Sequence, residues 1–175
     1  MGLLGNIFGK PKVLPVENIA TLATAAPALA AEGYVFARKA GICLKKEGPT
    51  KLDLTGMLAG AALPARYDLA ADEYGCTWIV LKGDPRGTVA AATRASRLLN
   101  DARRGGDILC IAFEFEKEGR KAYWIYSRKG LFYPFVPQDG EHDVLRELRM
   151  KETGSGIMPV ENAIGNWHPL WGMPF

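Results

Sequence analysis

Apolar and polar positions alternate along the second half of the chain with the period of two that is typical of β-strands. Residues 108–116 show the cleanest alternation, which predicts a strand with one side in the core. The apolar side of this strand consists of Leu109, Ile111, Phe113 and Phe115. Turns at residues 117–119 and 128–130 lead into further apolar segments at residues 121–127 and 131–135. The pattern therefore predicts an antiparallel meander of three strands.

Two further strands are predicted before the meander. Residues 34–46 are rich in β-branched and aromatic side chains, and residues 76–81 are apolar on both sides, which is typical of a central buried strand. Residues 51–63 are ambiguous, because the spacing of their apolar residues suits a helix whereas their first residues alternate as in a strand. We favour the helix for this segment.

Three more segments are predicted to be helical. Apolar residues recur at helical spacing between Ile19 and Leu29, so this uncharged segment is interpreted as an amphipathic helix rather than as a signal peptide. Asp84 and Pro85 mark a helix start, because Asp at the N-cap accepts a hydrogen bond from a free N–H group and Pro fits the first helical position. Residues 141–152 carry an apolar face and form the last predicted helix.

This order of elements predicts a single α+β domain. We expect a largely antiparallel sheet of about four to five strands, with helices packed on one face of the sheet. Residues 1–13 form an apolar and basic N-terminal segment, and residues 14–156 form the α+β domain. Residues 157–175 form a C-terminal tail rich in aromatic residues and Pro, which we expect to dock on the domain.

The end of this tail is the most unusual part of the sequence. Its last nine residues contain two Trp, one Phe and two Pro. Burying one such ring stabilises a fold by about 1.5–3 kcal/mol, so we expect the tail to lie against Trp124, Tyr126 and residues 133–135. Aromatic side chains that stay exposed beside it would form a partner-binding surface. The candidate partner-binding residues are Trp167, His168, Trp171, Tyr133, Phe135 and Tyr74.

Composition limits the possible function classes. The formal net charge is +3, which is too small a positive charge to indicate nucleic-acid binding. The three Cys are odd in number and lack short spacings, so they indicate reduced thiols in the cytoplasm rather than disulfides or a zinc site. No segment contains the run of about 18–20 apolar residues that a transmembrane helix requires.

No catalytic, metal or cofactor site is predicted. Cys43, Cys76 and Cys110 are assigned to strands and are interpreted as small buried apolar side chains. The chain has two histidines, His142 and His168, which are remote from these cysteines in sequence. A nucleophilic pair such as Cys76 with His168 stays a less favoured alternative, because a reactive thiol needs a nearby base and a lowered pKa.

Two segments are candidates for contact with a membrane surface. The N-terminal segment has an apolar helical face with lysines beside it, which is typical of a short interfacial anchor, and a loosely packed terminus is the alternative. Its candidate membrane-contact residues are Leu3, Leu4, Ile7, Phe8, Lys10 and Lys12. Arg94, Arg97 and Arg104 share a helical face with Asp101, which we interpret as a solvated surface rather than as a site for phosphate or lipid headgroups.

Several segments in order resemble the PspAB family, the proteins associated with phage shock protein A. The matching segments are MGLL at residues 1–4, GICLK at 41–45, DEYGCTWIVL at 72–81, RKGLFYPF at 128–135, MPVE at 158–161 and WHPLWG at 167–172. The two motifs that combine aromatic residues with Pro are the most specific. The family pattern has aromatic residues where Leu44, Cys76 and His168 stand in this chain.

The resemblance implies a small cytoplasmic accessory protein, peripheral at the inner face of the membrane, in the bacterial or archaeal envelope-stress response. The implied role is that of a non-enzymatic adaptor without a cofactor, acting through protein contacts. The implied partners are a PspA-type coat protein and an HtpX-type membrane metalloprotease. The residues themselves leave two alternatives open, namely a chaperone-like peptide-binding domain and an enzyme that uses Cys or a metal.

Overall fold

The computed structural model of the protein describes residues 12–175. The helices within this range are α1 (Thr21–Ala31), α2 (Lys51–Ala59), α3 (Pro85–Asp101) and α4 (Val144–Gly154). The strands are β1 (Val35–Leu44), β2 (Arg66–Ala71), β3 (Thr77–Lys82), β4 (Ile108–Lys117), β5 (Arg120–Ser127), β6 (Phe132–Phe135), β7 (Pro137–Gln138) and β8 (Glu141–His142). Short 3-10 helices lie at Gly105–Asp107 and Ile164–Asn166.

Six strands form one sheet in the order β2-β3-β1-β4-β5-β6, and all neighbouring strands in it are antiparallel. This confirms the prediction of a single α+β domain with a largely antiparallel sheet. The sheet exceeds the predicted size by one strand, because β2 was not predicted. That strand lies at the edge of the sheet and none of its residues is fully buried. Its apolar side is short, since Tyr67 and Leu69 are the partly buried residues that pack against the core.

Side-chain hydrogen bonds explain where two of the helices begin. Asp84 caps α3 as predicted, since its carboxylate accepts a hydrogen bond from the N–H of Gly87 at 2.8 Å. Thr50 and Asp53 form a capping box at the start of α2. The N–H of Asp53 donates to Thr50 Oγ1 at 3.1 Å, and the N–H of Thr50 donates to Asp53 Oδ2 at 2.9 Å. The first part of the ambiguous segment 51–63 is therefore helical and forms α2 (Lys51–Ala59).

One face of the sheet packs against the helices, as predicted. All four helices contribute buried side chains to the cluster on this face, which we call the helix face. The sheet residues of the helix face include Ile42, Leu44, Ile79, Leu81, Ile111, Phe113, Phe115, Trp124, Tyr126 and Phe132.

The opposite face of the sheet lies under the C-terminal tail, and we call it the tail face. Its buried residues are Cys43, Trp78, Val80, Cys110, Ala112, Tyr123, Ile125, Tyr133, Phe135 and Trp167, and the partly buried residues packed against them include Leu170, Met173 and Phe175. Of the tail, Met158 and Val160 pack in the helix-face cluster that contains Trp124 and Tyr126. The prediction that these two rings lie under the last nine residues is wrong, because those residues pack on the other face. Successive residues of a strand point to opposite faces, so β5 presents Tyr123 and Ile125 to the tail instead.

The tail is attached along β6 before it crosses the sheet. The N–H of Phe132 donates to the carbonyl of Pro159 at 2.8 Å, and the N–H of Glu161 donates to the carbonyl of Phe132 at 2.8 Å. Further along, Trp167 Nε1 donates to the carbonyl of Glu161 at 3.0 Å. The two main-chain bonds of Phe132 form a parallel bridge between Phe132 and Val160 at the edge of the sheet.

One residue of the predicted alternation in β4 does not reach the core. Leu109 is 41% exposed, although Ile111, Phe113 and Phe115 lie on the helix face as predicted. The pairing of β1 with β4 shifts between Cys43 and Leu44, which face Cys110 and Ile108. Leu109 is the extra residue of this irregularity and is turned out of the sheet.

Candidate functional site

Three of the predicted partner-binding residues are used inside the protein. Trp167, Tyr133 and Phe135 are buried, with 9%, 4% and 2% of their surface exposed. The hydroxyl of Tyr133 donates to the main-chain carbonyl of His168 at 3.0 Å and so holds the tail on the sheet. These three side chains support the tail from inside the protein and are not part of the exposed surface.

The other predicted partner-binding residues are exposed. Tyr74 is 59% exposed, Trp171 is 36% exposed and His168 is exposed as well. The ring of Trp171 lies edge-on to Phe135, with centroids 5.2 Å apart. The next residue, Gly172, lies against the side chain of Tyr74. We call the surface of Tyr74 and Trp171 the aromatic corner.

Most of the predicted membrane-contact residues lie outside the described residues. This holds for Leu3, Leu4, Ile7, Phe8 and Lys10, whereas Lys12 is described and exposed. None of the helices within residues 12–175 has the length and apolar character required to cross a membrane.

A groove of about 700 Å³ runs between α1 and α3. Small apolar residues such as Ala20, Ala23 and Ala90 line it, together with Arg86, Arg94, Arg97 and Asp101. The predicted grouping of arginines on α3 is therefore partly observed. Arg104 is not part of it, because its Nε forms an ion pair with Asp107 Oδ2 at 2.8 Å. The groove combines an apolar floor with positive charge at its rim.

The three cysteines, which are far apart in sequence, meet on the tail face. Cys43 lies on β1 directly opposite Cys110 of β4, and its thiol also interacts with that of Cys76. A hydrogen bond with Cys110, together with burial, raises the pKa of Cys43. Burial, with the neighbouring charges of Cys43 and Asp72, raises the pKa of Cys76 to about 11. Both thiols are therefore protonated at neutral pH, which does not favour a nucleophilic role.

Neither histidine forms the pair with Cys76 that was considered from the sequence. His142 Nδ1 lies 2.9 Å from Oε2 of the buried Glu147. His168 instead lines a cavity of about 270 Å³ together with Cys110 and Tyr133. His168 therefore shares a cavity with Cys110, and Cys76 is not among the residues that line it.

Sequence reasoning overlooked Asp72 as a partner of the cysteines. The Sγ atoms of Cys43 and Cys76 and a carboxylate oxygen of Asp72 all lie within 4.8 Å of one another. Asp72 precedes β3 and Cys43 lies on β1, so only the pairing of these strands reveals their proximity. These are the residues within 12–175 that the geometry brings into reach of a single metal ion.

Comparison with known families gives one match. The sequence pattern of the family described as PspA associated protein B matches residues 1–175, which is the whole chain. No curated protein and no solved structure matches the chain.

Proposed function

Because the chain belongs to the PspAB family, we propose that it is a non-enzymatic adaptor of the envelope-stress response that binds a PspA-type protein. The observation that carries the proposal is the match over the whole chain to a family named for its association with PspA. The raised thiol pKa values on the tail face support an adaptor rather than a thiol enzyme.

The aromatic corner is the surface we propose for this contact. Trp and Tyr are enriched among the residues that contribute most to binding free energy at protein interfaces. The ring of Trp171 is fixed from below by Phe135, so little side-chain entropy is lost when a partner covers it. The corner therefore offers two large apolar side chains in a defined arrangement.

Binding measurements with purified proteins test this proposal. The probe is a PspA-type protein from the same host, and the affinity is measured by biolayer interferometry. Replacing both Tyr74 and Trp171 by Ala should weaken binding by at least about thirtyfold, because each truncation at such a contact costs about 1–2 kcal/mol. A matched control is Leu52→Ala, which removes an apolar side chain that is 82% exposed on α2. Absence of binding by the native protein, or an equal loss in the control, contradicts the proposal.

The groove between α1 and α3 favours a second candidate, a chaperone-like peptide-binding function. Binding of a peptide across the sheet does not fit the structure, because the helices and the tail already cover the two faces of the sheet. In the remaining version an acidic amphipathic segment lies on the apolar floor and its carboxylates pair with Arg94 and Arg97. If Arg94→Glu with Arg97→Glu abolishes binding while the variant of the aromatic corner retains it, the groove is the contact surface.

The cellular place of the adaptor is also part of the proposal. We expect a cytoplasmic protein, peripheral at the inner face of the membrane, with an HtpX-type metalloprotease as a second partner. Crosslinking mass spectrometry in the native host checks both points. The proposed location and second partner are contradicted if the protein crosslinks to neither a PspA-type protein nor the protease and is absent from the membrane fraction.

A further inference from the structure

A small cluster of potential metal ligands lies where the turn between β2 and β3 meets β1. It consists of Cys43, Asp72 and Cys76, whose two sulfur atoms and one carboxylate oxygen lie within 4.8 Å of one another. Atoms bound to one Zn²⁺ lie within about 4 Å of one another, because Zn–S bonds are about 2.3 Å and Zn–O bonds about 2.0–2.2 Å. Side-chain movements of less than about 1 Å would bring the three atoms to that spacing.

Hydrogen bonds hold the Asp72 carboxylate in place. Its Oδ1 accepts from the N–H groups of Tyr74 and Cys76 at 3.0 and 2.9 Å. Its Oδ2 accepts from Trp78 Nε1 at 2.8 Å. Ligands of metal ions are commonly oriented by such outer hydrogen bonds, which reduce the entropy lost on binding. One lone pair of Oδ2 stays free of these bonds.

The turn that carries Asp72 and Cys76 is also fixed through its main chain. The N–H of Asp72 donates to the carbonyl of Cys76 at 3.1 Å, and the N–H of Gly75 donates to the carbonyl of Asp72 at 3.1 Å. Gly75 has a φ of +84°, a value that residues other than Gly rarely adopt. The two ligands on the turn are therefore held in one geometry relative to Cys43 on β1.

The charge beside the two sulfur atoms also favours a cation. The carboxylate of Asp72 lies within 4.8 Å of the sulfur atoms of Cys43 and Cys76. A divalent cation between the three groups would interact favourably with this carboxylate. A main-chain hydrogen bond from Lys46 to the Cys76 sulfur acts to lower the pKa of Cys76 and stabilises the thiolate.

We propose that Cys43, Asp72 and Cys76 bind one thiophilic divalent cation, with Zn²⁺ as the chemistry that fits best. Zn²⁺ accepts mixed sulfur and oxygen ligands, whereas Ca²⁺ and Mg²⁺ prefer oxygen alone. Each thiol releases one proton to solvent as its sulfur donates a lone pair to the ion, and no electrons are transferred. Three protein ligands leave one position of a tetrahedral ion open. The bound ion would join the β2–β3 turn to β1.

Titration with Co²⁺ tests the proposal, because Co²⁺ substitutes for Zn²⁺ and gives thiolate charge-transfer absorption. The full chain is first reduced and treated with a chelator, which is then removed. We expect one Co²⁺ per chain, with charge-transfer bands that disappear when Zn²⁺ is added. Cys76→Ser should lose about half of the charge-transfer intensity, since one of the two thiolates is removed, and should bind more weakly.

Cys110→Ser is the matched control. Cys110 is a thiol on the same face that contacts Cys43 but lies outside the set of three ligands. This variant should retain the stoichiometry and the spectrum of the native protein. Absence of charge-transfer absorption in the native protein at saturating Co²⁺ overturns the proposal. An equal loss in Cys110→Ser and Cys76→Ser overturns the assignment of the ligands. Far-UV circular dichroism checks that each variant is folded.

Discussion

The two faces of the sheet are covered in different ways. On the helix face, four helices bury apolar side chains such as Phe113, which is fully buried. On the tail face, a segment with little regular structure lies over the sheet and ends in Phe175, which is only partly buried. A helix satisfies its own main-chain hydrogen bonds, whereas an irregular segment needs bonds from the surface below it.

The polar contacts of the tail show this dependence. Tyr133 donates to the carbonyl of His168, and Lys121 Nζ lies 3.3 Å from the main-chain oxygen of Phe175. Each of these bonds involves one side chain and one main-chain atom. The tail face also holds the three cysteines and supports the aromatic corner. The helix face is thus specialised for stability, and the tail face carries the candidate chemistry and the candidate contact surface.

Truncating one ring on each face should give the largest difference between them. Phe113→Ala removes a fully buried ring and leaves a cavity, so we expect the free energy of unfolding to fall by about 3–5 kcal/mol. Phe175→Ala removes a partly buried ring at the chain end and should cost about 1–2 kcal/mol. Urea unfolding followed by circular dichroism measures both values. Equal losses in the two variants would show that the tail face contributes to stability as the helix face does.

A glycine under the tail offers a second test of intermediate size. A Cβ added at Gly41 would overlap the ring of Phe175 and lie 2.7 Å from the ring of Trp78. Trp78 is fully buried, so the ring at the chain end has to move. We expect Gly41→Ala to lower the free energy of unfolding by about 1–3 kcal/mol and to speed the removal of C-terminal residues by carboxypeptidase.

A double-mutant cycle separates this cause from a general effect on β1. In the Phe175→Ala background the obstructing ring is absent, so Gly41→Ala should cost clearly less than in the native protein. Additive free energies in the cycle would mean that Gly41 and the tail are not in contact. The cycle therefore tests the position of the tail without any assumption about its partners.

Sequence patterns predicted five of the six strands of the sheet. Alternation with a period of two indicated β4, whereas the unbroken apolar run indicated β3 and the β-branched and aromatic content indicated β1. Sequence patterns failed for β2, a short edge strand in which Tyr67 and Leu69 are the residues that pack against the core. The side of Leu109 could not be predicted either, since the irregularity beside it depends on the pairing with β1. Local signals such as Asp84 at the start of α3 were reliable because they act within one turn of helix.

The cluster of Cys43, Asp72 and Cys76 lay beyond such reasoning. Sequence spacing identifies metal ligands when they come in short motifs, whereas these residues meet through the pairing of β1 with β3. The sequence indicated that the tail docks on the sheet, but it did not indicate which side chains the tail contacts. Its aromatic composition indicated docking, but the identity of the rings below it depends on which residues of β5 face that side.

The smallest expected effect concerns the attachment of the tail through Glu161. Its carboxylate accepts from the N–H of Ala163 at 3.0 Å and from Asn166 Nδ2 at 3.1 Å, and these bonds hold the pKa of Glu161 below its usual value of 4.5. A carboxylate whose pKa is lower in the folded state stabilises that state at pH values above its pKa in the unfolded chain. This contribution is lost as the pH falls through the pKa of the folded state. The native protein should therefore lose its stability advantage over Glu161→Gln in that acidic window, as measured by urea unfolding at a series of pH values.

Glu152→Gln, at an exposed position on α4, is the control. A difference between native protein and Glu161→Gln that stays constant through the acidic range would show that the charge of Glu161 does not hold the tail.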